Sequence, residues 1–253
     1  MTTKKIIPCL DFKDGKVVKG INFEGLRTMG DPVEMAESYC KNGADELVFL
    51  DISATTEERD TLVDVVKRVA EKATVPFTVG GGIRTIEDIK KILAAGANKV
   101  GINSAAVENP NFIKEAAEQF GSDRIVAAVD AKLFPDGSWH VMTRGGLKDA
   151  SLDAIDWSKK VEELGAGSIL LTSVDKDGVK DGYDLELTQA VVEAVKIPVI
   201  ASGGCGNAEH IVEVFEKTNV AAALAASIFH ENSTSIEEVK VLCKERGVDV
   251  SEA

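Results

Sequence analysis

The sequence predicts an α/β protein, a single closed (β/α)8 TIM barrel built from two duplicated (βα)4 half-barrels, and three observations carry that expectation. Eight short apolar runs of strand length recur along 253 residues. The charged stretches between them place apolar residues at helical spacing. The two halves of the chain also match each other at an offset of about 122 residues, which is the mark of an internal repeat. Eight strand–helix units in this length fit a closed barrel better than an open doubly wound sheet, the structural alternative. A single domain spanning 1–253 is expected, with half-barrels at about 1–122 and 123–253.

The apolar runs are 6–10, 47–50, 76–79, 100–102, 125–129, 169–171, 198–201 and 221–226. Continuous apolar strands joined by helical crossovers imply a parallel sheet covered by helices. Leu62, Val65, Val66, Val69 and Ala70 share one helical face, as do Ile86, Ile89, Ile92 and Leu93. Asp31-Pro32 and Asn109-Pro110 each put a capping residue before a proline suited to the first helical turn. Gly43, Gly96, Gly165 and Gly247 fall where helices should close. Pro135-Asp136-Gly137 is a turn signal, so 132–134 and 138–143 are expected to form a small hairpin in the loop after the fifth strand. The repeat aligns 75–82 with 197–204, 47–50 with 169–172, Ser104 with Ser227, and Asp11 with Asp130.

Acidic residues outnumber basic ones 42 to 29, giving a formal charge of −13. Such a surface repels polyphosphate backbones, so nucleic acid is not an expected partner. No apolar run approaches the roughly 20 residues of a membrane span, and residues 6–10 are too few for a signal-peptide apolar region. Cysteines at 9, 40, 205 and 243 have no Cys-x-x-Cys spacing, and the histidines at 140, 210 and 230 form no ligand pattern. No metal or cofactor is expected, and a reducing cytoplasm is the expected location.

In a barrel of this kind the functional face lies at the C-terminal ends of the strands. Asp11 and Asp130 each end an otherwise apolar strand, and the repeat sets them across from one another. Two carboxylates facing one substrate can divide general-acid and general-base work when their environments separate their pKa values. The glycine turns at 80–82 and 203–204, with Asn103-Ser104 and Ser227 at the next strand ends, form two candidate phosphate cradles, and Thr172 ends the sixth strand. Two cradles point to a ligand with two phosphates. The glycine-punctuated, locally basic stretch 13–30 reads as a mobile lid that carries Lys19 over the site.

Several of these segments occur together in one known family. Cys9-Leu10-Asp11, Gly15 to Gly20, Leu50-Asp51-Ile52, Gly80-Gly81-Gly82-Ile83-Arg84, Asn103-Ser104-Ala105-Ala106, Val129-Asp130-Ala131-Lys132, Leu171-Thr172-Ser173, Asp177-Gly178 and Ser202-Gly203-Gly204 resemble the cyclase subunits of imidazole glycerol phosphate synthase, over essentially the whole chain. The resemblance implies a lyase of histidine biosynthesis. It would combine ammonia with a bisphosphorylated phosphoribulosyl-formimino aminoimidazole carboxamide ribotide to release imidazole glycerol phosphate and aminoimidazole carboxamide ribotide. It implies Asp11 and Asp130 as the catalytic pair. Phosphate and substrate contacts would fall to Gly82, Asn103 and Ser104 on one side and to Asp177, Gly178, Gly204 and Ser227 on the other. A glutaminase partner would dock on the N-terminal face of the barrel and deliver ammonia through a charged gate. Lys5, Glu46 and Lys99 match three gate positions, while Ser168 stands where the family usually has glutamate. Arg144 and Cys205 depart as well, replacing a ring-bearing polar residue and a small alanine.

Paired aspartates and two phosphate sites also suit the sister isomerase of the same pathway. The 9–11 opening and the 17–23 lid sequence favour the cyclase. A non-catalytic bisphosphate-binding subunit that activates a partner, and a flavin-binding barrel, are further alternatives.

Overall fold

A strand buried on both faces must be apolar throughout, and each of the eight apolar runs forms such a strand. In the computed structural model, which describes residues 3–21, 24–52 and 58–252 (side chains for 3–18, 27–52 and 62–252), they are β1 (Lys5–Lys13), β2 (Leu47–Asp51), β3 (Phe77–Gly80), β4 (Lys99–Ile102), β5 (Ile125–Leu133), β6 (Ser168–Ser173), β7 (Val199–Ser202) and β8 (Ala222–Ala225). Each pairs in parallel with the next, and β8 returns to β1 with Lys5 opposite Ala222, so the sheet closes. Eight helices lie along the crossovers: α1 (Pro32–Lys41), α2 (Glu58–Ala70), α3 (Ile86–Ala94), α4 (Asn111–Phe120), α5 (Ala154–Glu163), α6 (Leu185–Ala194), α7 (Ala208–Lys217) and α8 (Ile236–Glu245). This is the expected (β/α)8 barrel.

Side chains alternate between the two faces of each strand. Ile6, Leu10, Leu47, Phe49, Val79, Val100 and Ile169 point outward into the main core beneath the helices. Ile7, Cys9, Val48, Val126, Leu170, Ile200, Ala222 and Leu224 form a separate cluster that fills the barrel interior. The same parity carries Asp11, Asp130 and Thr172 inward at the top of this plug, and Lys5, Glu46, Lys99 and Ser168 inward at its base.

Helix punctuation follows local chemistry. The Asp31 side chain accepts from the Val33 and Glu34 amides, with Pro32 opening α1. All four expected closing glycines have positive φ. At 109–110 the expectation shifts by one position, because Asn109 ends the short helix Ser104–Glu108 and Pro110 caps α4.

The structure adds strands to two loop readings. The stretch after β1 is a two-stranded ribbon, Lys16–Ile21 against Glu24–Gly30, because Val17 and Val18 are buried and its backbone pairs with β1. After β5 the expected hairpin forms with Trp139–Thr143, and a third strand, Lys148–Asp153, adds to it. That third strand is mostly exposed and carries no apolar alternation that would announce it.

At the base, buried Lys240 of α8 donates to Asp45 Oδ1 at 3.0 Å and to Ser251 Oγ at 2.7 Å, while Asp45 Oδ2 accepts the Ile6 amide at 2.8 Å. Lys4 donates its amide to Asp249 O at 2.7 Å. These contacts fasten the last helix and tail to the first strand.

Candidate active site

Asp130 sits where β5 changes partners: it lies opposite Thr172 of β6 in parallel register and opposite Met142 of the hairpin strand Trp139–Thr143 in antiparallel register. Burial pushes its carboxyl from an ordinary 3.8 up to about 6. A hydrogen bond from Asn103 opposes that rise, and the negative charge of Asp177 adds to it. The Asn103 Nδ2 group donates to Asp130 Oδ2 at 2.8 Å. Asn103 sits before the short helix Ser104–Glu108, yet its side chain does not cap that helix. Its Oδ1 is buried without a hydrogen-bond partner, so the amide is committed to the carboxylate and leaves an acceptor unused.

Asp11 occupies the corresponding place on β1, opposite Leu50 of β2, with Cys9 Sγ 4.0 Å from its Oδ1. In an eight-stranded ring β1 and β5 face each other across the mouth, so the two aspartates look inward from opposite walls. Such a pair can pass protons to and from a ligand held between them.

The glycine turns have a packing cause that is independent of any anion. A Cβ on Gly81 would lie 2.0 Å from Asp51 O, and one on Gly203 would lie 2.8 Å from Ser173 O. Both glycines have positive φ, +95° and +92°. Residues 81 and 203, like 51 and 173, are related by the repeat offset, so one backbone approach is built twice. Gly82 and Gly204 follow at φ +65° and +101°. On the β4 side Ser104 Oγ accepts the Arg144 amide at 3.3 Å. On the other side Ser227 opens the short helix Ser227–His230. Asp177 and Gly178 lie in the loop after β6, where the Asp177 amide donates to Ser173 O at 3.0 Å. The structure therefore gathers Asp11, Asn103, Asp130, Thr172 and Asp177 around the mouth, with the two turns on its rim. Lys19 has its backbone in the β1 ribbon, and its side chain lies outside the described residues.

Lys5, Glu46 and Lys99 meet at the opposite end. Glu46 accepts from Lys5 Nζ at 2.5 Å and from Lys99 Nζ at 2.9 Å. Burial works to raise its pKa, but the two ammonium groups outweigh this and hold the carboxyl below its usual range. Ser168, the repeat equivalent of Glu46, brings no charge. Burial pushes the Cys205 thiol up to about 11, against the pull of hydrogen bonds to Tyr183 and Asn207, which disfavours its thiolate. Among the described residues no group of His, Cys, Asp and Glu could hold a metal ion, and no helix is long and apolar enough to cross a membrane.

Sequence reasoning assigned Asn103 to a phosphate cradle and missed its bond to Asp130. The signal available was an amide residue ending the strand next to the one that bears the aspartate. It also treated His230 as scattered, whereas His230 is bonded to Tyr39 behind the strand-eight end.

Comparison with known proteins identifies the family of the chain. The family described as "Histidine biosynthesis protein" matches residues 5–235. A protein of Streptococcus sanguinis (strain SK36) named "Imidazole glycerol phosphate synthase subunit HisF" is 58% identical over 250 residues, covering 99% of each chain. Its namesake in Clostridium botulinum (strain Okra / Type B1) is 59% identical over 251 residues, again covering 99% of each. That of Streptococcus mutans serotype c is 55% identical over 250 residues, 99% of this chain and 100% of the relative. A barrel with paired mouth aspartates, matched along nearly its whole length by these proteins, belongs to the histidine biosynthesis protein family that includes the HisF subunits of imidazole glycerol phosphate synthase.

Proposed function

We propose that this chain is the cyclase subunit of an imidazole glycerol phosphate synthase, taking ammonia and the bisphosphorylated formimino ribotide to imidazole glycerol phosphate and aminoimidazole carboxamide ribotide. The observation that carries the reading is an inward-facing aspartate on each of two opposite strands, in a chain 55–59% identical to HisF subunits over 99% of its length.

Ammonia adds to the ribulosyl carbonyl carbon, and water leaves to give an imine. Ring closure on the formimino carbon and cleavage of its bond to the departing aminoimidazole nitrogen then require protons to be removed and delivered. Asp130, with its carboxyl near 6, is suited to take a proton in one step and return it in the next. Asp11 serves the same sequence from the opposite wall. Asn103 keeps the Asp130 carboxylate oriented. Gly82 and Ser104 on one rim, and Gly204, Ser227, Asp177 and Gly178 on the other, lie where the two phosphates of an extended substrate would rest, with Thr172 between them and Lys19 on the ribbon above. Metal and cofactor play no part in this reading.

The word "subunit" in the relatives' names implies a partner. In the present reading the partner is a glutaminase that docks on the N-terminal face, and ammonia enters past Lys5, Glu46 and Lys99. With serine at 168, this ring holds one carboxylate between two lysines. Residues 1–253 form one domain with halves meeting near 122, and the cytoplasm, which keeps its four free cysteines reduced, is its location.

The test is turnover of the purified chain with the bisphosphorylated substrate, supplied with ammonium salt or with glutamine alone. Product with ammonium only is expected. No product with ammonium, together with tight substrate binding, would transfer the assignment to the sister isomerase or to a binding subunit.

A further inference from the structure

A one-turn helix does not hold its own orientation. Ser227–His230 is a single turn, with His230 N bonded to Ala226 O at 3.0 Å and Glu231 N to Ser227 O at 2.9 Å, far below the length at which a helix supports itself. Its placement therefore comes from tertiary contacts. Ile228 and Phe229 are buried on one side. Beside it a pocket of about 330 Å³ that opens to the surface, bounded in part by Met29, Met35, Tyr39, Phe229, His230 and Asn232, leaves that flank of the helix without a close-packed neighbour. A close-packed neighbour would fix it by sterics alone.

Among the described residues a polar link crosses to this helix from α1. The Tyr39 hydroxyl donates to His230 Nδ1 at 2.5 Å, between two buried rings 191 residues apart in sequence. This bond uses the His230 tautomer that leaves Nδ1 as acceptor. Burial raises the Tyr39 pKa, so its hydroxyl stays protonated and remains the donor. Phe229 sets its ring edge-on to Tyr39 at 6.4 Å, so the two contacts brace each other. Tyr39 is in turn fixed by α1, whose start is locked by Asp31 and Pro32. The repeat-related helix Ser104–Glu108 is held differently, through Ser104 Oγ and the Arg144 amide.

We propose that Tyr39 and His230 are positioning residues for the substrate: their bond sets the tilt of the Ser227–His230 helix, and thereby the place of Ser227 against a phosphate group. The inference rests on the reading of Ser227 as a phosphate contact. Tyr39→Phe removes one hydroxyl and no other volume, so it isolates the link.

The experiment is steady-state turnover with ammonium salt and the bisphosphorylated substrate, on the full chain. Tyr39→Phe is expected to raise KM about tenfold while kcat stays within about twofold, the signature of lost ground-state binding. His230→Gln, whose side-chain oxygen still accepts the Tyr39 proton, is expected to recover most of the wild-type KM. Ser227→Asp, which places a negative charge against the phosphate, is expected to raise KM further and to abolish any additional effect of Tyr39→Phe. A lowered melting temperature with unchanged KM in Tyr39→Phe would overturn the inference, leaving the bond a packing contact. If Ser227→Asp raises KM and Tyr39→Phe does not, only the link fails. If Ser227→Asp leaves KM unchanged, the phosphate reading of Ser227 fails and takes the link with it.

Discussion

Asp130 and Glu46 are carboxylates with the same inward parity at opposite ends of one barrel, and their titration is pushed in opposite directions. Each is withdrawn from bulk water, which by itself raises a carboxyl pKa. Asp130 has a neutral amide and a second carboxylate as neighbours, so burial prevails and the group rises to about 6. Glu46 has two ammonium groups within 2.9 Å, and they reverse the sign. The difference shows that partner charge, and not depth, decides whether a lumen carboxylate is ready to exchange protons or is locked as an anion.

The sharpest way to break this contrast is to neutralise each group in turn. Asp130→Asn should cut ammonium-supported turnover by about 10²–10⁴-fold, the usual worth of a positioned acid–base group, with the fold intact by circular dichroism. The same loss without Asp130 at the reacting centre would require substrate affinity to collapse as well, so KM is measured alongside. Glu46→Gln should instead act on stability, leaving Lys5 and Lys99 facing each other without an anion. A loss of about 1–3 kcal/mol in urea unfolding is expected, less than for a fully enclosed pair because Lys5 is half exposed.

Stability against pH separates the two further. Asp130 binds its proton more tightly folded than unfolded, so its contribution is fully present below about pH 4 and is lost as pH rises through about 6. Glu46 has a lowered folded pKa, so its contribution is present above the ordinary 4.5 and is lost as pH falls through the folded value. Urea midpoints measured from pH 3 to 7 should therefore lose their decline towards pH 6 in Asp130→Asn and their acid-side decline in Glu46→Gln. An unchanged profile in either variant would remove that residue from the argument. The smallest effect is expected from Asn103→Ala. Without the donated hydrogen bond the Asp130 carboxyl rises further, and the acidic limb of the kcat/KM profile moves to higher pH.

The strands were legible because a doubly buried strand must be apolar along its length, which leaves a mark that loops and surface helices cannot imitate. The aspartates were legible because Asp11 and Asp130 interrupt such runs at repeat-related places. The β1 ribbon and the strand Lys148–Asp153 were not, since a two-stranded extension over a mouth is half exposed and carries mixed polarity. Long-range polar pairs were hidden for another reason. Tyr39 looks like any apolar-face residue of α1 and His230 like any histidine, and only closure of the ring brings them within 2.5 Å. The Asp45–Lys240–Ser251 cluster is the same case, because a lysine that is 1% exposed cannot be told from a solvated one until its partner is placed.

Closure of the ring also imposes an order of events on the newborn chain. The first half of one edge of β1 pairs with β8, through Lys5 with Ala222 and Pro8 with Ala225. During synthesis that edge is made before β8 and waits for a partner more than two hundred residues away, the kind of distant pairing that slows folding. Until then it is an open template for strands of other chains. Lysines at positions 4 and 5, at the start of that edge, put charge where misplaced pairing would begin, and in the finished barrel they are turned to other uses, Lys4 Nζ bonding Val220 O and Lys5 bonding Glu46.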